Sequence, residues 1–237
     1  MQYSIYEENL SAPRLKRYKN ACNENREQAV ELYKLNILLS LRLYGYLSIF
    51  EVVLRNRVDR HLRNQYKNQS YLKDQLDDPK GFLHEKKLNS QKMKVESAII
   101  DIKRSGLSFS HERLVAALSF GFWTEMFGKY SFLAVRRTLL NIFPKKPSQT
   151  NRDDIYAILT RIRKIRNKIA HHEPICFRVK TQNNIIVTEI TTERATQLLD
   201  DITRLYSYMN INYKDLINDL PNPIEAIEKI ENLRSEI

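Results

Sequence analysis

The stretch Arg26–Gln65, REQAVELYKLNILLSLRLYGYLSIFEVVLRNRVDRHLRNQ, decides the fold. Its apolar residues Val30, Leu32, Leu35, Leu38, Leu39, Leu43, Leu47, Phe50, Val53, Leu54 and Val58 step by three or four positions. That spacing lays one stripe along a helix, so the stretch predicts a long central helix with a buried side. Gly45 offers a point at which the helix could bend. The most apolar part, residues 35–54, is interrupted by Asn36, Ser40, Arg42, Gly45, Ser48 and Glu51, which argues against a membrane span.

Outward from this helix, Pro13–Asn23 predicts a short helix and residues 67–81, with Asp77-Asp78-Pro79, a polar surface loop. Helices are expected at His84–Lys103, Ser110–Phe127, Phe132–Ile142 and Asp153–His171. Thr150 or Asn151 caps the last of these, Asp153 and Asp154 complement its positive N-terminal end, and Pro174 stops it. Ile175, Phe177 and Val179 alternate, Gln182-Asn183-Asn184 has turn chemistry, and Ile185, Val187 and Glu189 follow, so a small β-hairpin is expected over 175–190. Helices resume at Thr192–Asn210 and after Pro223, where Glu225, Glu228, Glu231 and Glu236 make the tail acidic. The expected architecture is all-α with a small β-hairpin insertion, a single domain over 1–237 whose core spans about 26–210 and whose acidic helical tail spans about 211–237.

Composition supports this class. Five glycines and seven prolines in 237 residues are few for a strand-and-turn fold, and a hydrophobic content of 42% suffices for a core. The net charge of +11 attracts anions, as in proteins that bind nucleic acid. The N-terminus lacks the charged start and apolar block of a secretory leader, and Cys22 and Cys176 read as reduced thiols, so a cytoplasmic protein is expected.

Near the end of a basic helix stands Arg166-Asn167-Lys168-Ile169-Ala170-His171-His172-Glu173-Pro174. Histidine gives or takes a proton near neutrality and arginine keeps its charge against phosphate oxygens, a pairing suited to phosphodiester chemistry. Spacing alone does not select it. Arg55 with His61 and Arg104 with His111 are similarly separated, and so basic a chain produces such matches by chance. Asn167 and His171 share a face as an i,i+4 pair, whereas Arg166 must curl back to join them. Arg161, Arg163, Lys164 and Lys168 add charge that would attract an RNA backbone.

The segment resembles the R-N-x-x-x-H signature of HEPN domains. With its continuation to Ile175 it is similar to the Abi-like branch, the AbiD/AbiF abortive-infection proteins of bacteria. Phe50-Glu51-Val52-Val53-Leu54-Arg55-Asn56 and Phe122-Trp123-Thr124-Glu125-Met126-Phe127 with Tyr130 also fit, so the resemblance covers roughly 28–176. It implies a HEPN-type helical bundle and a metal-independent endoribonuclease of phage defence. RNA is the substrate, no cofactor is needed, and two motif helices commonly meet in a homodimer. Arg166 and His171 match the catalytic pair and Asn167 the polar residue between them.

Several roles stay open at this level. Arg166 and His171 could instead cap the helix end, and His172 competes with His171 as proton carrier. His171-His172-Glu173 is a poor metal site, since adjacent residues diverge around a helix. Glu51 and Arg55 are placed to form an i,i+4 ion pair, and with Asn56 they either support the bundle or orient the catalytic group. The aromatic cluster around Trp123 reads as core, and Arg14-Lys16-Arg17-Lys19 as a solvated face or an extension of an RNA track. The alternative function is a non-catalytic RNA-binding or protein-interaction module holding a small regulatory RNA.

Overall fold

A computed structural model describes residues 2–182 and 185–237. Among them twelve α-helices and one two-stranded antiparallel hairpin are found, so the chain is all-α with a small β-hairpin. In order they are α1 (Gln2–Leu10), α2 (Ala12–Ala21), α3 (Arg26–Tyr66), α4 (Tyr71–Asp77), α5 (Asn89–Arg104), α6 (His111–Ala117), α7 (Phe120–Glu125), α8 (Lys129–Ala134), α9 (Arg152–Ala170), β1 (Phe177–Gln182), β2 (Ile185–Ile190), α10 (Glu193–Tyr208), α11 (Lys214–Ile217) and α12 (Pro223–Ser235). Contacts group the chain into two compact units. One comprises Met1–Ser48, Lys164–Ile202 and Lys214–Ile237; the other comprises Ile49–Arg163 and Thr203–Tyr213.

The long helix forms as its periodicity predicts. Leu32, Leu39, Leu43, Leu47, Phe50, Leu54 and Val58 are buried along it. It runs on through Gly45, where the missing side chain serves packing: a Cβ there would lie 3.3 Å from Leu220 Cδ1. Among the described residues α3 is the one helix long and apolar enough, by length and composition, to cross a membrane. Its apolar residues are divided, since Ile37, Leu41 and Tyr44 stay exposed while the stripe above is buried.

In the first unit, Tyr18 of α2 stands edge-on to Tyr33 of α3 and to Phe177 at the start of β1. The hairpin pairs Phe177 with Ile190 through Gln182 with Ile185, and β2 lies against α2. The turn expected at Asn183-Asn184 falls outside the described residues. Cys22 and Cys176 are both free and fully buried. Burial pushes the Cys22 thiol up to about 11 and the Cys176 thiol further above its ordinary range. Neither forms an attacking thiolate at pH 8, so a disulfide-exchange reagent is expected to titrate no thiol in the native protein within minutes and two after denaturation. One rapidly reacting native thiol would contradict that burial.

In the second unit, Phe50 meets Phe120 and Tyr206 edge-on, and Phe122 meets Trp123. A buried polar network crosses this core. Asp59 accepts from His111 Nε2 at 2.7 Å and pairs with Arg63 at 2.6 Å, with Asp59 and His111 almost fully enclosed.

Three sequence expectations are corrected here. Residues 67–81 contain α4, because Tyr71 and Leu72 are buried and Asn68 accepts from the Ser70 N–H at 2.7 Å. Gly81 lets the following chain return, since a Cβ there would sit 2.2 Å from the Gln75 carbonyl oxygen. The single helix expected over 110–127 is two, α6 and α7, broken where Leu118 and Ser119 turn extended. The helix expected over 132–142 is also broken, because Arg136 and Arg137 both adopt positive φ, 62° and 61°. No glycine or proline marks either break.

Candidate active site at the end of the motif helix

Helix α9 is closed at both ends. Asn151 Oδ1 accepts from the N–H groups of Asp153 (2.7 Å) and Asp154 (3.2 Å), and Asp154 accepts from the Asn151 N–H at 2.8 Å. This reciprocal cap satisfies donors that a helix start leaves open. Ile155, Ile158, Leu159, Ile162 and Ile169 are buried, while Arg161, Lys164 and Asn167 face solvent.

The C-terminal end carries the motif. His172 donates its N–H to Ile169 O at 3.0 Å and Glu173 to Lys168 O at 2.8 Å, the paired bonds of a Schellman turn. The turn needs a left-handed residue, and His172 occupies it with φ 55°. Glycine is the usual occupant because a side chain there crowds the following carbonyl. His172→Gly is therefore expected to stabilise the protein by about 0.5–1 kcal/mol. That corresponds to a rise in Tm of roughly 1–4 °C for a chain of this size, measured by thermal unfolding. A fall in Tm would mean that the imidazole makes a stabilising contact.

This turn leaves His171 exposed as the last residue bonded in the helical pattern, its N–H donating to Asn167 O at 2.9 Å. Arg166 is half-buried and its Nε is shielded from solvent. Lys168 reaches Glu173 at 2.5 Å. That ammonium, then His171 and Arg17, hold the Glu173 carboxyl below its ordinary range. The terminal turn therefore presents an imidazole beside an anchored carboxylate, with cations on several sides.

Two of those cations come from α2. Arg14 donates to the His172 carbonyl at 3.2 Å, and Arg17 is near enough to bear on Glu173. The sequence placed both in a generic basic cluster. Nothing local in α2 reports a contact 158 residues away. Asn36 is also missed as a positioning residue: its Oδ1 accepts from the Ile175 N–H at 2.9 Å and ties the segment after the motif to α3. A polar residue within the buried stripe of α3, 5% exposed, was the available signal.

The other candidates are placed as follows. Arg166, Asn167, His171, His172, Lys164 and Lys168 belong to the first unit; Glu51, Arg55, Asn56, Arg161 and Arg163 belong to the second. Arg163 is engaged by Glu125 at 2.6 Å, whose carboxylate also accepts from the Tyr156 hydroxyl, and Lys168 is engaged by Glu173. Both were expected to meet RNA, and each has an acidic partner within the chain. Glu51 and Arg55 are half-buried and Asn56 is exposed. The spacing of Glu51 and Arg55 allows an i,i+4 ion pair, and Arg55 Nε is buried without a hydrogen-bond partner. His61 shares a hydrogen bond with Thr138 Oγ1 at 2.9 Å, and burial lowers its proton affinity. His111 is enclosed with Asp59. These contacts give the two competing Arg–His spacings structural roles. No group of three or more His, Cys, Asp or Glu is gathered to hold a metal ion among the described residues.

The model of the Abi-like protein family matches residues 2–176. The chain belongs to the Abi-like family. Membership associates it with abortive infection, a defence of bacteria against phage. No curated protein and no solved structure matches the chain. The Abi-like match begins at residue 2 rather than near 28, so it takes in α2 with Arg14 and Arg17, and it ends where the chain enters β1.

Proposed function

We propose that this Abi-like protein is a HEPN-type, metal-independent endoribonuclease acting in the cytoplasm. The observation that carries the proposal is the end of α9, where His171 is exposed beside Glu173 among the cations of α2 and α9. An RNA phosphate is drawn to such a surface, and the imidazole is free to reach an oxygen of it.

In the proposed reaction the ribose 2′-oxygen attacks the adjacent phosphorus and loses its proton. The bond from phosphorus to the 5′-oxygen breaks, and that oxygen leaves protonated. His171 carries one of these protons, and Arg166 offsets charge on the phosphorane-like transition state. The products are a 2′,3′-cyclic phosphate and a 5′-hydroxyl, and DNA resists because it lacks the attacking group. Asn167 is the polar residue between the pair, and Lys164 draws the RNA backbone. Two chains associate as a homodimer with their motif ends at one groove, and a small regulatory RNA restrains the enzyme.

Purified protein is incubated with end-labelled RNA in excess chelator, and the product ends are typed chemically. Cyclic phosphate ends that persist in chelator support the proposal. RNA retained on the protein but uncut, with or without divalent ions, replaces it by the second reading, an Abi-like module that acts by occupancy. The half-buried guanidinium of Arg166 suits that reading, since a structural cation is often enclosed in this way.

A further inference from the structure

Immediately beside the end of α9 the first unit contains a cavity of about 630 Å³, within the range of about 300–1,000 Å³ typical of small-molecule sites. Its walls are mainly apolar, from Ile37 and Leu41 of α3 and from Ile169, and Tyr44 stands exposed at its edge. His172 and Arg14 close the side nearest the motif.

The polar groups in this cavity have unused hydrogen-bonding capacity. Asn36 is 5% exposed and Tyr18 is 2% exposed, and both line the cavity. Asn36 Oδ1 is taken by the Ile175 N–H, which leaves the two donors of Nδ2 for an occupant. Tyr18 holds its ring edge-on to Tyr33 and Phe177 and brings one hydroxyl to the cavity lining. Burial keeps that hydroxyl protonated, so it too is a donor. A purely aliphatic occupant would seal these donors away unpaired, which is costly. A planar heterocycle with carbonyl acceptors would satisfy them, lie against the aliphatic wall and stack on Tyr44. The guanidinium of Arg14 at the rim is placed for the phosphate that accompanies such a ring.

We propose that this cavity is a nucleobase pocket, which seats the base next to the cleaved linkage and favours the oxo bases guanine and uracil over adenine. Guanine presents O6 and N7 and uracil its two carbonyls, whereas adenine opposes donors with its amino group. The inference rests on RNA being the ligand of the neighbouring helix end, and it adds which part of the RNA this unit reads.

The test measures binding of guanosine, uridine and adenosine 3′-monophosphates to the full chain by calorimetry. Wild type is compared with Tyr44→Ala, which removes the stacking face, and Ser40→Trp, which fills the cavity. Both positions are exposed or half-buried, and unchanged thermal unfolding shows that the variants fold. Expected is saturable binding of the guanine and uracil nucleotides, tighter than that of the adenine one. It should weaken about 5- to 150-fold in Tyr44→Ala, the contribution of one base–aromatic stack, and vanish in Ser40→Trp. Absence of saturable binding at millimolar nucleotide, or binding indifferent to both variants, overturns the pocket, and RNA cleavage by wild type in that case leaves the nuclease assignment standing. Nucleotide binding as expected without any RNA cleavage keeps the pocket and defeats the nuclease assignment instead. A wild-type dimer that excludes nucleotide and is split by Leu41→Asp, followed by light scattering, gives this face to a second copy of the chain and also overturns the pocket.

Discussion

Alanine at position 171 is expected to lower RNA cleavage by about 10²–10⁴-fold, the range for removing a positioned proton carrier, while RNA affinity changes little. The side chain is exposed, and the helix end it stands on is closed by backbone bonds from His172 and Glu173, so the substitution leaves the fold intact. On the proposed reading, RNA affinity would come instead from Arg14, Arg17, Lys164 and the other cations whose sum gives the chain its +11 charge. Single-turnover cleavage and filter binding on one labelled RNA separate the two quantities. His172→Gly is the informative companion, since it relaxes the strained turn yet keeps His171, and cleavage should survive. If alanine at 171 cuts at wild-type rate while His172→Gly does not, the proton carrier is the neighbouring imidazole. If neither change matters, the helix end is not the catalytic centre.

Asp59→Ala is expected to cost about 2–4 kcal/mol of stability. Removing one member of a wholly buried ion pair costs about 3–5 kcal/mol. The lower range applies here because Arg63 keeps 28% exposure and water can partly replace its partner. His111 carries most of the loss: it is enclosed, its Nε2 would lose its 2.7 Å acceptor, and its Nδ1 already has none. For a chain of this size the midpoint should fall by roughly 4–16 °C, followed by circular dichroism. Asp59→Asn should cost less, since the amide oxygen still accepts one bond. A change below about 0.5 kcal/mol, the scale of ordinary surface substitutions, would mean that the network is solvated in solution.

The helix that carries the candidate site could be read in advance because its signals lie in one continuous run. Asn151 as cap, Pro174 as stop and the isoleucine rhythm of α9 are all local signals, and they delimit a helix found at Arg152–Ala170. The same holds for α3, for the alternation that forms the hairpin and for the start of α12 at Pro223. Reading failed where local preference is weak and packing decides. Leu118-Ser119 and Arg136-Arg137 break helices with residues that continue them elsewhere, because burying Phe120, Phe122 and Trp123 on one side and Leu139 and Phe143 on the other requires the chain to change direction. Glu51 and Arg55 show a related limit: helical spacing permits an i,i+4 pair without requiring it, and each side chain answers to its surroundings.

Taken alone, the order of residues determined the helical class, the long central helix, the hairpin and an Arg–His motif at the end of a basic helix, since these follow from contacts between residues two to four positions apart. Only the folded chain decided that Arg14 of α2 meets His172, that Asn36 holds Ile175, that His111 is enclosed with Asp59, and that a cavity with idle donors opens beside the motif. Those contacts join residues 52 to 158 positions apart. They depend on how whole helices come together to bury their apolar faces, which no short window of sequence contains.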